Sequence, residues 1–302
     1  MLGLDKMSNL AQRVIAGVLG ATILINAIYW SEFSFFLLFA FIMSFSLWEF
    51  YTLLEKAGYK PMKRYMMVFN VILIIYIFLN NKNIEILIKT PDGLYQKIIE
   101  FFSITFYAII IIGIFLAFIV KLYDKNDKQP FVNIALSILG LLYVFVPFML
   151  FINNSWQFSN LNGILNVGFQ YQYQIPLGIL FCLWASDSGA YFVGRKLGKT
   201  KLFERISPKK SWEGFAGGMF FSQVVAFVLS IYFTSLDGWK WHVISAIIVI
   251  VGTYGDLVES MLKRSLDIKD SGSVIPGHGG FLDRFDGLLI AMPFVATFLN
   301  LF

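Results

Sequence analysis

Charge is scarce in this sequence: 14% of its 302 residues are Asp, Glu, Lys or Arg, against about 25% in soluble domains. With 58% of the chain apolar, that shortage excludes an ordinary soluble globular protein, whose aqueous core such a composition would overfill. Cysteine is nearly absent. The single Cys182 permits neither an intrachain disulfide framework nor a thiolate metal cluster, and it leaves the redox compartment unrecorded. Aromatic residues, by contrast, are abundant: 33 Phe within an 18% aromatic content exclude disordered, collagenous and low-complexity classes. The class that remains is an integral membrane protein with several spans.

About 20 apolar residues cross a hydrocarbon core as a helix. Runs of that kind, bounded by charges or by Gly, Pro and Asn, lie near residues 14–30, 33–48, 65–80, 98–120, 131–152, 175–194, 214–233, 241–259 and 285–302. The expected fold is therefore all-α, with about nine transmembrane helices and the second and third forming a short hairpin. The first run lacks a small-residue cleavage pattern and is expected to be an uncleaved span. With the N-terminus cytoplasmic, 20 of the 24 Lys and Arg fall on the inside; the exceptions are Lys82, Lys89, Lys97 and Lys240. The 153–174 connection carries no charge. The positive-inside rule then assigns the basic loops 195–213 and 260–284 to the cytoplasm.

Polar residues inside apolar runs are costly and are retained when paired, hydrated or metal-bound. Trp184, Asp187, Ser188, Tyr191 and Arg195 recur at helical spacing, as do Asp256, Glu259, Ser260, Lys263 and Asp267, so each set marks one helix face. Two such faces at one depth predict a cytoplasmic cleft. A simpler use of the stripes is helix-to-helix ion pairing, with Asp187 satisfied by Arg195 or Lys196.

The loop from Ser265 to Asp286 (SLDIKDSGSVIPGHGGFLDRFD) is rich in glycine, whose amides can approach a phosphate chain. Lys263, Arg264, Lys269 and Arg284 supply cations for such an anion, whereas Asp256, Asp270, Asp283 and Asp286 would repel it. Both coexist when a hard cation sits between them, which points to Mg²⁺ bridging carboxylate and phosphate oxygens. No Walker A sequence is present. His278 is a candidate phosphate donor or acid, or a local structural donor, and His242, beside Trp239 and Trp241, fits an interfacial aromatic belt. The basic loop before the seventh run, Ser207-Pro-Lys209-Lys210-Ser-Trp-Glu-Gly214, suits a phosphate as well as anionic headgroups.

The segment Ser260, Lys263, Arg264, Lys269, Asp270, Gly272, Pro276, His278, Gly279, Gly280, Asp283, Arg284 and Asp286 resembles the C-terminal motif of phosphatidate cytidylyltransferases, and Trp184, Asp187, Ala190, Tyr191, Gly194 and Gly198 resemble that family's sixth-span motif. Ser207 to Gly214 resembles the family's basic loop, with one departure at Ser211, where the family commonly has Thr. The resemblance covers residues 180–290; the N-terminal half matches only in being hydrophobic. It implies the reaction of CTP with phosphatidic acid to give CDP-diacylglycerol and pyrophosphate, with Mg²⁺ required and a potassium ion beside it. It also implies Asp256 and Asp283 as metal ligands, nine spans and a homodimer.

On this basis the catalytic candidates are Asp256, Asp283, Lys263, Arg264 and His278. Candidates for substrate binding are Asp187, Lys196, Ser207, Lys209, Lys210, Ser260, Lys269, Gly279, Gly280 and Arg284. Residues 1–130 are expected to form helices 1–4 with a lipid-facing or dimerisation role, and 131–302 to form helices 5–9 with the cleft. The expected location is a bacterial inner membrane with the site facing the cytoplasm; membrane lipids are partners and nucleic acid is not. Two alternatives remain: a CTP-dependent polyprenol-type kinase, which would transfer the γ-phosphoryl group, and a cation-coupled transporter, which internal repeats would favour.

Overall fold

The protein is described by a computed structural model covering residues 9–87, 94–161, 166–268, 272 and 279–302. Its elements are α1 (Asn9–Trp30), α2 (Glu32–Lys56), α3 (Lys63–Leu87), α4 (Leu94–Leu122), α5 (Pro130–Gly140), a π-helical stretch (Leu141–Phe145) and α6 (Val146–Asn153). They continue with β1 (Trp156–Leu161), β2 (Asn166–Tyr171), α7 (Gln174–Leu197), β3 (Lys201–Phe203), β4 (Ser207–Ser211), α8 (Trp212–Tyr232), α9 (Gly238–Ser265) and α10 (Leu282–Leu301).

Each apolar run falls on a helix to within a residue, the fifth on the continuous rod Pro130–Asn153. Among the described residues, six helices are long and apolar enough to cross a membrane: α2, the Ile104–Leu122 part of α4, the Pro130–Asn153 rod, α7, α8 and α9. Ile15–Trp30 forms a shorter apolar helix. Large side chains such as Phe41, Phe115, Phe220 and Phe227 are exposed on the outer faces. Apolar patches of that extent mark a lipid-facing surface rather than a water-facing one, and the chain is an integral membrane protein.

The second and third runs are not short helices. Each belongs to a helix of 25 residues, because polar residues such as Glu49 and Glu55 in α2 and Asn81 and Asn83 in α3 continue the helix past the apolar stretch. Ser31 marks the break between α1 and α2. Its side chain accepts the Ser34 N–H at 3.1 Å while Ser34 Oγ accepts the Ser31 N–H at 3.2 Å, a reciprocal cap.

Two short antiparallel hairpins interrupt an otherwise all-α fold, and the apolar runs give no sign of either. In β1–β2, Trp156 stands opposite Tyr171; in β3–β4, Lys201 stands opposite Ser211. The second hairpin leads into α8, where Ser211 caps the helix by accepting the Gly214 N–H at 3.1 Å.

Helices α7 to α10 form the most closely packed part. A Cβ on Gly189 of α7 would stand 2.7 Å from the Gly217 carbonyl oxygen of α8, and one on Gly255 of α9 would stand 2.6 Å from the Asp286 carbonyl oxygen of α10. Small residues at these crossings let the backbones touch, which brings the polar faces of α7 and α9 to the same place.

Candidate active site

A cleft of about 540 Å³ opens between α7, the β3–β4 hairpin, the start of α8 and α9. Asp187, Ser207, Lys209, Lys210 and Asp256 all line it, so residues from three separated segments meet there. The hairpin is held in register with the helices by Glu213, whose carboxylate accepts the Lys199 and Thr200 backbone N–H groups at 3.1 Å each. This places Lys210 so that its ammonium forms an ion pair with Asp256. Asp187 lies in the field of Asp256, Lys210 and Arg284. Arg195 donates to the Tyr191 hydroxyl at 3.0 Å, an arrangement different from the Asp187–Arg195 pair that simple helix gluing would use.

Deeper in, α9 and α10 build a second cluster. Glu259 is 2% exposed, and Lys263 Nζ lies 2.9 Å from its Oε2 and 2.8 Å from Asp283 Oδ1. Asp283 Oδ2 accepts the Gly280 N–H at 3.0 Å. Gly279 has φ of 83°, which favours glycine, and a Cβ there would stand 2.6 Å from the same carboxylate oxygen. Asp286 accepts the Gly287 N–H at 2.8 Å and lies within hydrogen-bonding reach of Asp256 and Glu259. Asp286 and Glu259 therefore stand between the cleft carboxylate Asp256 and the loop carboxylate Asp283.

The remaining expected residues are spread around these clusters. Ser260 is half-buried on α9, while Lys196, Arg264 and Arg284 are exposed. Lys269 and His278, together with Asp270, lie outside the described residues.

Sequence reasoning did not assign Glu259 or Asp286 to the ligand set, although both occur in the polar patterns. It missed two further residues entirely. Tyr143, in the π-helical stretch, has a buried hydroxyl without a hydrogen-bond partner among the described residues and lies in the field of Glu259, Asp286 and Asp256. Helical widening of this kind is frequent at functional sites. Glu49 of α2 reaches the start of α10. A single Tyr or Glu inside an apolar run carries no positional signal without its tertiary neighbours.

Whether these residues suit a divalent cation can be judged by their charges. Asp187, Asp256, Glu259, Asp283 and Asp286 face Lys210, Lys263 and Arg284. Carboxylates supply the hard oxygen donors such an ion takes, and Glu259 Oε1 is buried without a partner among the described residues. No three His, Cys, Asp or Glu side chains there form a ready metal cage. Magnesium seldom needs one, since it is held by one or two carboxylates plus substrate phosphates and water. The donor set fits such an ion.

Fold and site together define a helical integral membrane protein with a polar cleft that joins carboxylates to lysines. The chain belongs to the cytidylyltransferase family, whose model matches residues 11–302. It is 50% identical over 125 residues to the phosphatidate cytidylyltransferase of Bacillus subtilis, covering 40% of this chain and 45% of that protein. It is 38% identical over 189 residues to that of Haemophilus influenzae, covering 58% and 61% of the two chains. With the enzyme of Staphylococcus haemolyticus it shares 35% identity over 198 residues, covering 60% and 76%. In the first two matches the chain spans about half to three fifths of the relative's length.

Proposed function

We propose that the protein transfers the cytidylyl group of CTP to phosphatidic acid, giving CDP-diacylglycerol and pyrophosphate. The observation that carries this reading is the junction of the two clusters: a cleft lined by Lys209, Lys210 and Asp256 runs beside the Lys263–Asp283 pair in a chain of the cytidylyltransferase family. Relatives named phosphatidate cytidylyltransferase support the choice of lipid acceptor.

Phosphatidate already has an anionic oxygen, so the main barrier is the approach of two anions. That oxygen attacks the α-phosphorus of CTP in line, and the bond to the bridging oxygen of the β-phosphate breaks. Lys209 and Lys210 hold the triphosphate in the cleft, with Asp187 and Ser207 orienting the nucleotide. Lys263, fixed between Glu259 and Asp283, meets negative charge developing on the leaving pyrophosphate. Arg264 and Arg284 screen the lipid phosphate. Asp256 and Asp283, with Asp286 and Glu259 beside them, would hold Mg²⁺, which when bound supplies charge neutralisation for the triphosphate; potassium is the second ion of the reading.

The same reading has nine spans with a cytoplasmic N-terminus, a site facing the cytoplasm of a bacterial inner membrane, and a homodimer. It divides the chain into helices 1–4 and the cleft-bearing helices 5–9. The 20-to-4 distribution of cations supports the orientation. A cytoplasmic cleft solves a geometric problem, because CTP arrives from water while its partner stays in the leaflet.

The test is incubation of purified protein with Mg²⁺, phosphatidate and CTP labelled at either the α- or the γ-phosphate. Label from the α-position should enter the lipid, and EDTA present from the start should prevent that transfer. Label from the γ-position alone entering lipid would identify a kinase instead, and no transfer of either would refute the assignment.

A further inference from the structure

Glu49 lies in α2 among buried Ser46, Leu47, Phe50 and Tyr51 and is 4% exposed. A carboxylate in such surroundings needs strong hydrogen bonds to remain there. Its Oε2 accepts the Leu282 N–H at 2.9 Å, across 233 residues of sequence, and the carboxyl also accepts the Phe281 N–H. These amides open α10, where no preceding helical carbonyl can serve them. Phe281, at the cap position, supplies no capping side chain, so the cap comes from another helix. The positive end of the α10 dipole favours a negative charge there. Oε1 points toward Gly272, where a Cβ would stand 2.8 Å away.

The turn that Glu49 grips is the one that carries Asp283. Gly280 N–H and Lys263 Nζ hold the two oxygens of that carboxylate, and Lys263 in turn reaches Glu259. A shift of the α10 N-terminus relative to α2 would therefore move Asp283 against its lysine.

We propose that Glu49 is a positioning residue for the cytidylyl-transfer site: by pinning the first amides of α10 to α2 it sets Asp283 relative to Lys263. This rests on the function proposed above. It also gives a helix of the N-terminal half, expected only to face lipid or a second copy, a part in shaping the site.

Three variants of the full chain in detergent test it. Glu49→Gln keeps the length of the side chain and a carbonyl acceptor; Glu49→Asp keeps the charge but withdraws the carboxyl by about 1.5 Å. Gly272→Ala keeps the Glu49 side chain itself and crowds its Oε1. The expected result is that Glu49→Asp lowers kcat per folded molecule at least ~10-fold, and Gly272→Ala at least ~3-fold, with KM for phosphatidate unchanged. Glu49→Gln should lose less than ~3-fold. Without lipid, the rise in thermal midpoint on adding CTP and Mg²⁺, measured from each protein's own unliganded midpoint, should shrink in Glu49→Asp.

Normal kcat per folded molecule in Glu49→Asp would overturn the proposal and leave a stabilising cap. So would a larger loss in Glu49→Gln than in Glu49→Asp, which would make charge rather than reach the requirement. If Glu49→Asp does not fold, Gly272→Ala carries the test, and parental kcat there is the overturning result. A parent chain inactive on phosphatidate would refute the function proposed above; the CTP-induced thermal shift still decides the role of Glu49 in that case.

Discussion

The ammonium of Lys263 lies 2.8 Å from Asp283 Oδ1 while also reaching Glu259, so one cation keeps two nearly buried carboxylates together. With side-chain exposures of 15% for Lys263, 11% for Asp283 and 3% for Glu259, its removal would leave like charges facing each other in a poorly hydrated space. Lys263→Met is expected to lower stability by about 3 kcal/mol, as breaking a buried ion pair does, and to reduce transfer at least ~100-fold. Thermal midpoint and labelled-CTP transfer measure the two effects, and parental values for both would contradict the bridging role.

Asp256 pairs with Lys210 at the cleft wall. Asp256→Asn keeps the shape and removes the charge, so the fold should survive while α-phosphate transfer falls at least ~100-fold; Asp283→Asn should behave alike. Size-exclusion profiles matching the parent, combined with near-parental transfer, would refute the assignment of these carboxylates.

The contact between α7 and α8 depends on Gly189, where a Cβ would stand 2.7 Å from a backbone oxygen of Gly217. Backbone cannot swing aside as a side-chain tip can. Gly189→Ala is expected to cost about 1–3 kcal/mol and to weaken CTP binding, because α7 carries Asp187. Calorimetry of CTP binding and thermal melting would show it; an unchanged melt would mean that the helices are further apart.

On the loop between α4 and α5, Asp127 lies 2.7 Å from Lys121. Enclosure of its side chain pushes the pKa up, but hydrogen bonds from Lys121, the Gln129 N–H and Asn133 outweigh this and hold the carboxyl at about 2, below the ordinary 3.8. A folded-state pKa below the unfolded one stabilises above the unfolded value, and that contribution is lost as pH falls through the folded value. Stability should therefore decline between about pH 4 and pH 2, and Asp127→Asn should flatten that part of the profile. An identical acid profile in the variant would count against the pair.

The helices and half of the site were legible because each depends on local pattern. Apolar runs located every helix, and helical spacing placed Asp187 and Asp256 on faces that meet in the cleft. The β-hairpins were not legible: β3–β4 is short and basic, and its strand pairing is made by backbone groups rather than by an apolar alternation. Glu259 and Asp286 were visible as polar residues, but their standing between Asp256 and Asp283 follows from the crossing of α9 and α10 at Gly255.

What the sequence by itself determined is the membrane class, the positions of the helices and the chemical types at the site, since hydropathy, spacing and motif are one-dimensional properties. Tertiary structure alone decided which groups meet across helices: Lys210 with Asp256, Lys263 with Asp283, and Glu49 with the α10 amides. Those partners are set by where helices cross, and a crossing depends on small residues far apart in the chain whose packing no local pattern records.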